Sequence, residues 1–174
     1  LGAEKFLNIK CAASGLSPKA VVLVATIRAL RHHGGAVKEN LNEPNVDRVA
    51  KGFANLEKHI ENIRKFNIEP VIAINSFIND AADEVKLVID KCQKLGVKAV
   101  VSEGWAKGGE GTEDLARAVV SVVEKATKKF KPLYDWNAPV KEKIETIARE
   151  IYGASKVDYD KKAKLNLSRI DRLG

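Results

Sequence analysis

The sequence predicts an α/β protein in which helices connect the strands of a parallel sheet. Three short apolar runs occur along the chain, and each is followed by a longer stretch whose apolar residues recur every three or four positions. The first pattern is typical of buried strands and the second of amphipathic helices. Three repeats of a strand and then a helix indicate right-handed crossovers within one parallel sheet.

The first repeat opens with the apolar run 20–26, which is rich in β-branched residues. Because a strand that is apolar at every position is typical of a strand covered on both faces, we expect this one in the middle of the sheet. Asn45 then introduces a helix. Its apolar stripe consists of Val46, Val49, Phe53, Leu56, Ile60 and Ile63. Gly52 in this helix costs about 1 kcal/mol relative to alanine, which predicts close packing against a neighbour.

The second repeat pairs a strand at 70–76 with another helix. The carboxylates of Asp80, Asp83 and Glu84 fall near the first turn of that helix, where they oppose the positive end of the helix dipole or cap the backbone. Gly96 is expected to end it. The apolar stripe of this helix consists of Val85, Val88, Ile89, Cys92 and Leu95.

The third repeat consists of a strand at 97–102, the glycine-rich loop SEGWAKGGEG at 102–111, and a helix that Thr112 is expected to cap. The stripe of this helix consists of Leu115, Val119, Val122 and Ala126.

The pattern changes after residue 130, where no further strand is indicated. Another helix is expected to end at Gly153, followed by a final helix or a loose tail. The apolar residues of the first of these are Val140, Ile144, Ile147 and Ile151. We therefore expect an α/β part, 1–130, followed by a connector and C-terminal helices, 131–174.

Composition excludes several classes of protein. With 174 residues, 45% of them hydrophobic, the chain is long enough for one globular core. Its two cysteines, Cys11 and Cys92, are too far apart in sequence to indicate a disulfide framework or a zinc site. The longest apolar run, 20–27, is far shorter than the about 20 residues that a bilayer helix needs. We expect a soluble, cytoplasmic protein with no membrane partner.

A net charge of +7 and a pI near 9.4 raise the possibility of nucleic-acid binding. The lysines, however, are interspersed with acidic residues along the predicted helices, so we expect no nucleic-acid partner. The positive electrostatic potential that such a net charge produces favours acidic, phosphorylated or polycarboxylate ligands equally well. Since the chain starts with Leu1 and contains no methionine, we expect it to be a piece of a longer protein.

Ligands of parallel sheets bind beyond the carboxyl ends of the strands, so the loops 28–35, 75–80 and 102–111 are expected to form the site. Phe77 directly follows the second strand and Trp105 follows the third. Two rings at neighbouring strand ends are suited to hold a flat heteroaromatic ligand between them. The alternative is that each ring packs on its own helix.

The glycine loop also resembles a phosphate-binding segment, since glycines allow backbone N–H groups to approach an anion. The residues that resemble such a segment are Lys107, Gly108, Gly109 and Gly111, and Glu103 and Ala106 are further candidates for the site in this loop. The order of residues does not match GxxxxGK[ST], which occurs nowhere in the 174 residues. If the protein uses ATP, its main triphosphate loop is therefore expected outside these residues. We expect the parallel sheet with its crossover helices to have a P-loop-NTPase-like architecture without the P-loop. A guanine-reading Asn-Lys-x-Asp motif also fails, because Ser76 and Ile78 follow Asn75 in the lysine and aspartate positions.

His32 and His33 follow the first strand, and adjacent histidines point in different directions in most backbones. A shared metal ion is therefore not expected, and their roles stay open between acid–base chemistry and a hydrogen-bonded turn.

Several strings together resemble the formate–tetrahydrofolate ligase family, in the same order and with little gap. They are LGAEKFLNIKC, VVLVATIRALRHHGG, GFANLEKHIENIRKF, PVIAINSF, SEGWAKGGEG and EKIETIAREIYGA. The resemblance implies an ATP-dependent ligase that joins formate to N10 of tetrahydrofolate through formyl phosphate. It also implies that Phe77 and Trp105 hold the pterin ring, and it leaves Lys107 as a candidate for electrostatic catalysis.

The same resemblance implies formate, tetrahydrofolate and ATP with Mg²⁺ as substrates, a possible monovalent cation, and a homo-oligomer for the whole enzyme. Two departures from the family concern the site: Ile78 and Asn79 stand where proline and threonine are usual, and Gly104 stands in place of a larger apolar residue. Because the Walker-type loop of the family is missing, we expect this chain to supply the folate side of the site and to be inactive alone. A non-catalytic binding or assembly module is the alternative.

Overall fold

The computed structural model describes residues 2–173, which form two compact units. One unit runs from Pro18 to Phe130 and contains the sheet. The other joins the residues up to Ser17 with those from Lys131 onward. The predicted division into 1–130 and 131–174 stays a prediction.

Three parallel strands form the sheet, in the order β1-β2-β3. They are β1 (Ala20–Ala25), β2 (Glu69–Asn75) and β3 (Lys98–Ser102). Helices lie between successive strands, so the predicted α/β class with a parallel sheet is confirmed. Because all strands run in the same direction, their carboxyl ends share one edge of the sheet.

The position predicted for β1 is wrong. Within the described residues β2 is the central strand, and Val71 to Ile74 are buried. β1 lies at the edge, with Val22 41% and Val24 62% exposed. The apolar run correctly indicates a strand that is apolar on both faces. It carries no information about which strands lie beside it.

Helices of this unit follow the strands in sequence. They are α3 (Ile27–His33), α4 (Val46–Arg64), α5 (Ala82–Lys94), α6 (Gly104–Lys107) and α7 (Glu113–Lys125). The segment 28–35, expected as a loop, is largely α3, because the Thr26 hydroxyl accepts the Ala29 N–H at 3.1 Å and starts the helix there. Before them, α1 (Gly2–Lys5) continues through a π-helical stretch, Phe6–Cys11, into α2 (Ala12–Ser14) in the other unit.

The predicted ends of these helices are largely correct. Asn45 caps α4 by accepting the Arg48 N–H at 3.0 Å. Gly96 follows α5 in the left-handed region, with φ +67°. Thr112 does not cap α7 as expected, because its hydroxyl donates instead to the carbonyl of Gly109 at 2.8 Å.

The close packing predicted for Gly52 is confirmed. A Cβ at Gly52 would lie 1.9 Å from the carbonyl oxygen of Leu30, and one at Gly34 would lie 1.8 Å from that of Arg48. The backbones of α3 and α4 therefore touch at these two glycines. The contact fixes α3, which carries arginines toward the carboxyl edge of the sheet.

One hydrophobic core joins the sheet to these helices. Its buried members include Ile27, Leu30, Val49, Phe53, Leu56, Ile60, Ile72, Ile74, Val88 and Cys92. Apart from Val46 and Ile63, the stripe residues predicted for the first two crossover helices belong to this core or pack against it. Burial raises the pKa of the Cys92 thiol to about 11, so the thiol is protonated at neutral pH.

The second unit contains α8 (Val140–Glu150) and α9 (Lys161–Leu173), and Gly153 follows α8 with φ +70°. The predicted end of α8 is confirmed, and the open choice for the last residues is settled in favour of a helix. Buried Asn8 accepts the Leu133 N–H at 2.9 Å within this unit. Among residues 2–173 no helix is both long and apolar enough to cross a bilayer.

Candidate functional site

The ends of β2 and β3 lie side by side. Asn75 is paired with Ser102 in the parallel register, and the Ser76 N–H donates to the Ser102 carbonyl at 3.2 Å. The segments that follow these strands therefore begin next to each other. This adjacency, expected from parallel strands, brings the predicted residues Phe77 and Trp105 together.

Phe77 and Trp105 stack on each other. Their ring centroids are 5.8 Å apart and their planes differ by 21°. Both rings are partly open to solvent, Phe77 with 43% and Trp105 with 58% of its surface exposed. Neither ring is buried on its own helix. We call the pair of Phe77 and Trp105 the ring clip. That the ring clip holds a ligand stays a prediction.

Different contacts hold the two aromatic residues. The Trp105 indole Nε1–H donates to the Ser76 carbonyl at 2.7 Å, so this ring is tied to the end of the neighbouring strand. Phe77 is held through its backbone, whose N–H donates to Asp80 Oδ2 at 2.8 Å while its carbonyl accepts the Asp80 N–H at 2.9 Å. No polar contact restrains the Phe77 ring itself.

The glycine loop is folded into short helical turns, α6 and a 3₁₀ turn at Glu110–Thr112. The Glu103 N–H donates to the Gly111 carbonyl at 3.0 Å and closes the loop. A Cβ at Gly111 would lie 2.6 Å from the Glu103 carbonyl oxygen, so glycine is required there.

Several loop amides are already used in this conformation. The N–H groups of Ala106 and Lys107 both donate to the Glu103 carbonyl, at 3.0 and 2.9 Å, and the Gly108 N–H donates to Gly104 at 2.9 Å. These three N–H groups are therefore not available to a phosphate in this conformation.

Lys107 and Glu103 form an exposed ion pair, with 2.6 Å between Nζ and Oε2. The hydrogen bond and charge of Glu103 raise the pKa of Lys107 above its usual value of 10.5. Lys107 is thus a cation at neutral pH. It is suited to stabilise negative charge and not to accept a proton.

Sequence reasoning missed a buried ion pair beside the turn that follows Phe77. Arg31 and Glu84 are 1% and 0% exposed, and Arg31 Nε donates to Glu84 Oε1 at 2.8 Å. Glu84 also accepts the N–H groups of Asn45 at 2.7 Å and Ala81 at 3.2 Å. Arg31 Nη2 lies 3.9 Å from Asp80 Oδ1, which links the pair to the residue that holds the Phe77 backbone.

The only sequence signal for this network was the crowding of carboxylates near the start of α5. The capping interpretation is correct in part, because Glu84 accepts the Ala81 N–H. Its main partner, Arg31, is 53 residues away along the chain. Helical periodicity relates residues three or four apart and is blind to such a pair.

A cavity of about 510 Å³ opens beside the ring pair. Its lining includes Thr26, Arg28, Asn42, Phe77, Asp80 and Trp105. The volume falls in the range of ligand pockets, about 300–1,000 Å³. A second cavity, of about 410 Å³, lies at Asn67 and Ile68, just before β2 begins and therefore away from the carboxyl edge.

His32 and His33 have tilted rings with centroids 6.0 Å apart, and His32 Nδ1 lies 3.3 Å from the Ala36 carbonyl oxygen. In the part of the chain that the structure describes, no three His, Cys, Asp or Glu side chains are grouped so as to hold a metal ion.

A comparison with protein families gives a match along the whole chain. The family model described as formate–tetrahydrofolate ligase matches residues 1–174.

Proposed function

The chain belongs to the formate–tetrahydrofolate ligase family, and we propose that it supplies the tetrahydrofolate-binding part of that carbon–nitrogen ligase. In the proposed reaction a formate oxygen first attacks the γ-phosphorus of ATP, the bond from that phosphorus to the bridging oxygen breaks, and formyl phosphate forms as ADP leaves. N10 of tetrahydrofolate then attacks the formyl carbon, the bond from that carbon to the phosphate oxygen breaks, and N10 loses its proton. The products of the two steps are 10-formyltetrahydrofolate, ADP and inorganic phosphate, and the N10 proton passes to solvent.

The stacked pair of Phe77 and Trp105 is the observation that carries this proposal. Two exposed aromatic rings at adjacent strand ends, beside a cavity of about 510 Å³, are suited to a flat bicyclic ligand. Stacking contributes about 0.5–1.5 kcal/mol beyond the burial of apolar area. Tetrahydrofolate provides such a bicyclic group in its pterin.

The two rings must separate before a pterin enters between them. A ring held between two others needs about 7 Å from outer ring to outer ring, two contact distances of about 3.5 Å. The observed centroid distance is 5.8 Å. Rings stacked with an offset can lie in contact, about 3.5 Å apart, at such a centroid distance, so the gap must widen by between about 1 and 3.5 Å. The Phe77 ring, which has no polar restraint, is the one expected to move.

Lys107 is proposed to stabilise negative charge in the transition state and not to act as a general acid or base. Its raised pKa keeps it positive, and Glu103 holds its ammonium group by a hydrogen bond of 2.6 Å. During attack by N10, negative charge grows on the formyl oxygen, and a fixed cation nearby stabilises that state more than the ground state. Orientation of N10 by the clip supplies the other part of the rate enhancement.

Fluorescence of Trp105 tests the proposal. In a Trp136→Phe background, Trp105 is the one remaining tryptophan of the 174 residues, and tetrahydrofolate is expected to quench it on binding. Adding Phe77→Leu should weaken that binding, because one face of the clip is lost. An absence of saturable quenching by tetrahydrofolate, or an equal quench by ATP alone, would contradict the proposed folate site.

A further inference from the structure

Arg28 lies in the first turn of α3 and lines the same cavity as Phe77 and Trp105. It is exposed, and its guanidinium is always charged at neutral pH. None of the described residues accepts a hydrogen bond from it or forms an ion pair with it. Arg28 therefore brings five unused N–H donors to the wall of the cavity.

The other arginine of the cavity is already committed. Arg31 is buried against Glu84, and its Nη1 donates to the Leu41 carbonyl at 2.9 Å. The nearby Asp80 carboxylate is held by the Phe77 N–H and faces Arg31. All three charged side chains of this buried group thus have partners, and Arg28 is left as the cation free to meet a ligand.

The cation of the glycine loop is also occupied, because Lys107 is hydrogen-bonded to Glu103. A ligand that fills the cavity between the ring pair and α3 therefore contacts the apolar faces of the two rings on one side. On the other side it meets the guanidinium group of Arg28. Such a wall suits a molecule with a flat ring and an oxyanion. Arginine binds carboxylates and phosphates in a bidentate way, which gives orientation as well as affinity.

We propose that Arg28 binds an oxyanion of the ligand held by the ring clip. The inference rests on the proposed function. In that setting the oxyanion is either a carboxylate of the glutamyl tail of tetrahydrofolate or the phosphate group of formyl phosphate. Both offer a pair of oxygens that a guanidinium can bind in a bidentate way, and the experiment distinguishes them.

The test compares Arg28→Gln with the unchanged residue, both in the Trp136→Phe background. Three probes are titrated: tetrahydrofolate, a tetrahydropterin without the aminobenzoyl-glutamate tail, and inorganic phosphate. Trp105 quenching reports the first two, and calorimetry reports phosphate. Arg117→Gln is the matched control, since Arg117 is an exposed arginine on α7, paired with Glu113 and outside this cavity.

If Arg28 binds the tail, Arg28→Gln weakens tetrahydrofolate about tenfold and leaves the tetrahydropterin unchanged. If it binds the phosphate group, the variant weakens inorganic phosphate about tenfold and leaves both pterins unchanged. Unchanged affinity for all three probes would overturn the inference. So would an equal loss for both pterins, which would indicate a merely structural arginine.

The proposed function fails in a different way. If neither pterin quenches Trp105 when Arg28 is present, the folate clip is wrong. Phosphate binding that depends on Arg28 would survive that result and would keep the oxyanion site, whereas its absence would remove both. Arg117→Gln is expected to leave all three affinities unchanged.

Discussion

The indole N–H of Trp105 is the group that turns an exposed ring into a positioned one. It donates to the Ser76 carbonyl at 2.7 Å, one residue before Phe77 in the chain. The bond therefore ties the ring of one clip residue to the backbone beside the other. A tryptophan supplies both the ring face and the donor, and phenylalanine supplies only the face.

Trp105→Phe separates these two contributions. It keeps an aromatic face and removes the hydrogen bond to Ser76, so the ring becomes free to rotate. Ligand binding must then restrict that rotation, which lowers the affinity. We expect tetrahydrofolate to bind about five- to tenfold more weakly, which corresponds to about 1 kcal/mol for one hydrogen bond. Calorimetry measures this without the lost fluorophore. Trp136→Phe is the control, and equal affinities for both variants would show that the indole bond does not position the ring.

At this scale the sequence predicted the meeting of Phe77 and Trp105, because both follow parallel strands directly. It did not predict the Ser76 contact, which depends on the rotamer of Trp105. It also gave no reason to select Arg28 among 30 lysines and arginines. That choice requires knowing which cations already have partners, and partners such as Glu84 are distant in sequence.

At the scale of elements, the Arg31–Glu84 pair joins α3 to α5 and reaches the turn that holds Phe77. Burial alone would raise the pKa of Glu84. The hydrogen bonds from Arg31, Asn45 and Ala81 outweigh it, and the pKa of Glu84 lies below its ordinary value of 4.5. A carboxylate whose pKa is lower in the folded than in the unfolded state stabilises the fold when it is ionised.

Glu84→Gln is expected to lower the free energy of unfolding by about 3 kcal/mol at pH 7, because it leaves the Arg31 cation buried without its counter-charge. The stabilisation by Glu84 is complete above pH 4.5 and is lost as the pH falls through the lower pKa of the folded state. The unchanged chain should therefore lose stability on acidification below pH 4.5, and the variant should lose less over that range. Urea unfolding at pH 7, 5 and 3.5 measures both effects.

Glu113→Gln is the matched control, because Glu113 forms an exposed pair with Arg117. It should change the free energy of unfolding by no more than about 0.5 kcal/mol. Similar losses for the two glutamates at pH 7, or the same acid dependence with and without Glu84, would show that the buried pair does not stabilise the fold.

The sequence predicted the helices and their ends correctly wherever a local interaction determines them. Asn45, Gly52 and Gly96 act through caps, close backbone approach and the left-handed conformation, and each left a correct signal. The failures have a common cause. The edge position of β1 and the helical start at Thr26 depend on which neighbours cover a segment or which backbone donor a hydroxyl meets, and hydrophobic runs do not encode either.

At the scale of the whole molecule, the described unit from Pro18 to Phe130 contains the clip, its supporting ion pair and Arg28. The triphosphate side of the reaction is different. Binding a triphosphate usually takes a cradle of free backbone N–H groups together with a lysine that reaches the β- and γ-phosphates. The 174 residues contain no GxxxxGK[ST] motif to provide one.

The glycine loop does not replace that motif, because its N–H groups at Ala106, Lys107 and Gly108 donate within the loop and its lysine is paired with Glu103. We therefore expect the 174-residue chain to bind tetrahydrofolate but to form no 10-formyltetrahydrofolate from ATP, formate and tetrahydrofolate, and to release no ADP. Chromatography of the folates and a coupled ADP assay measure the two products, with heat-denatured protein as the blank. Either product above that blank would show that these residues assemble a triphosphate site by another route, and the division of labour proposed for this chain would be wrong.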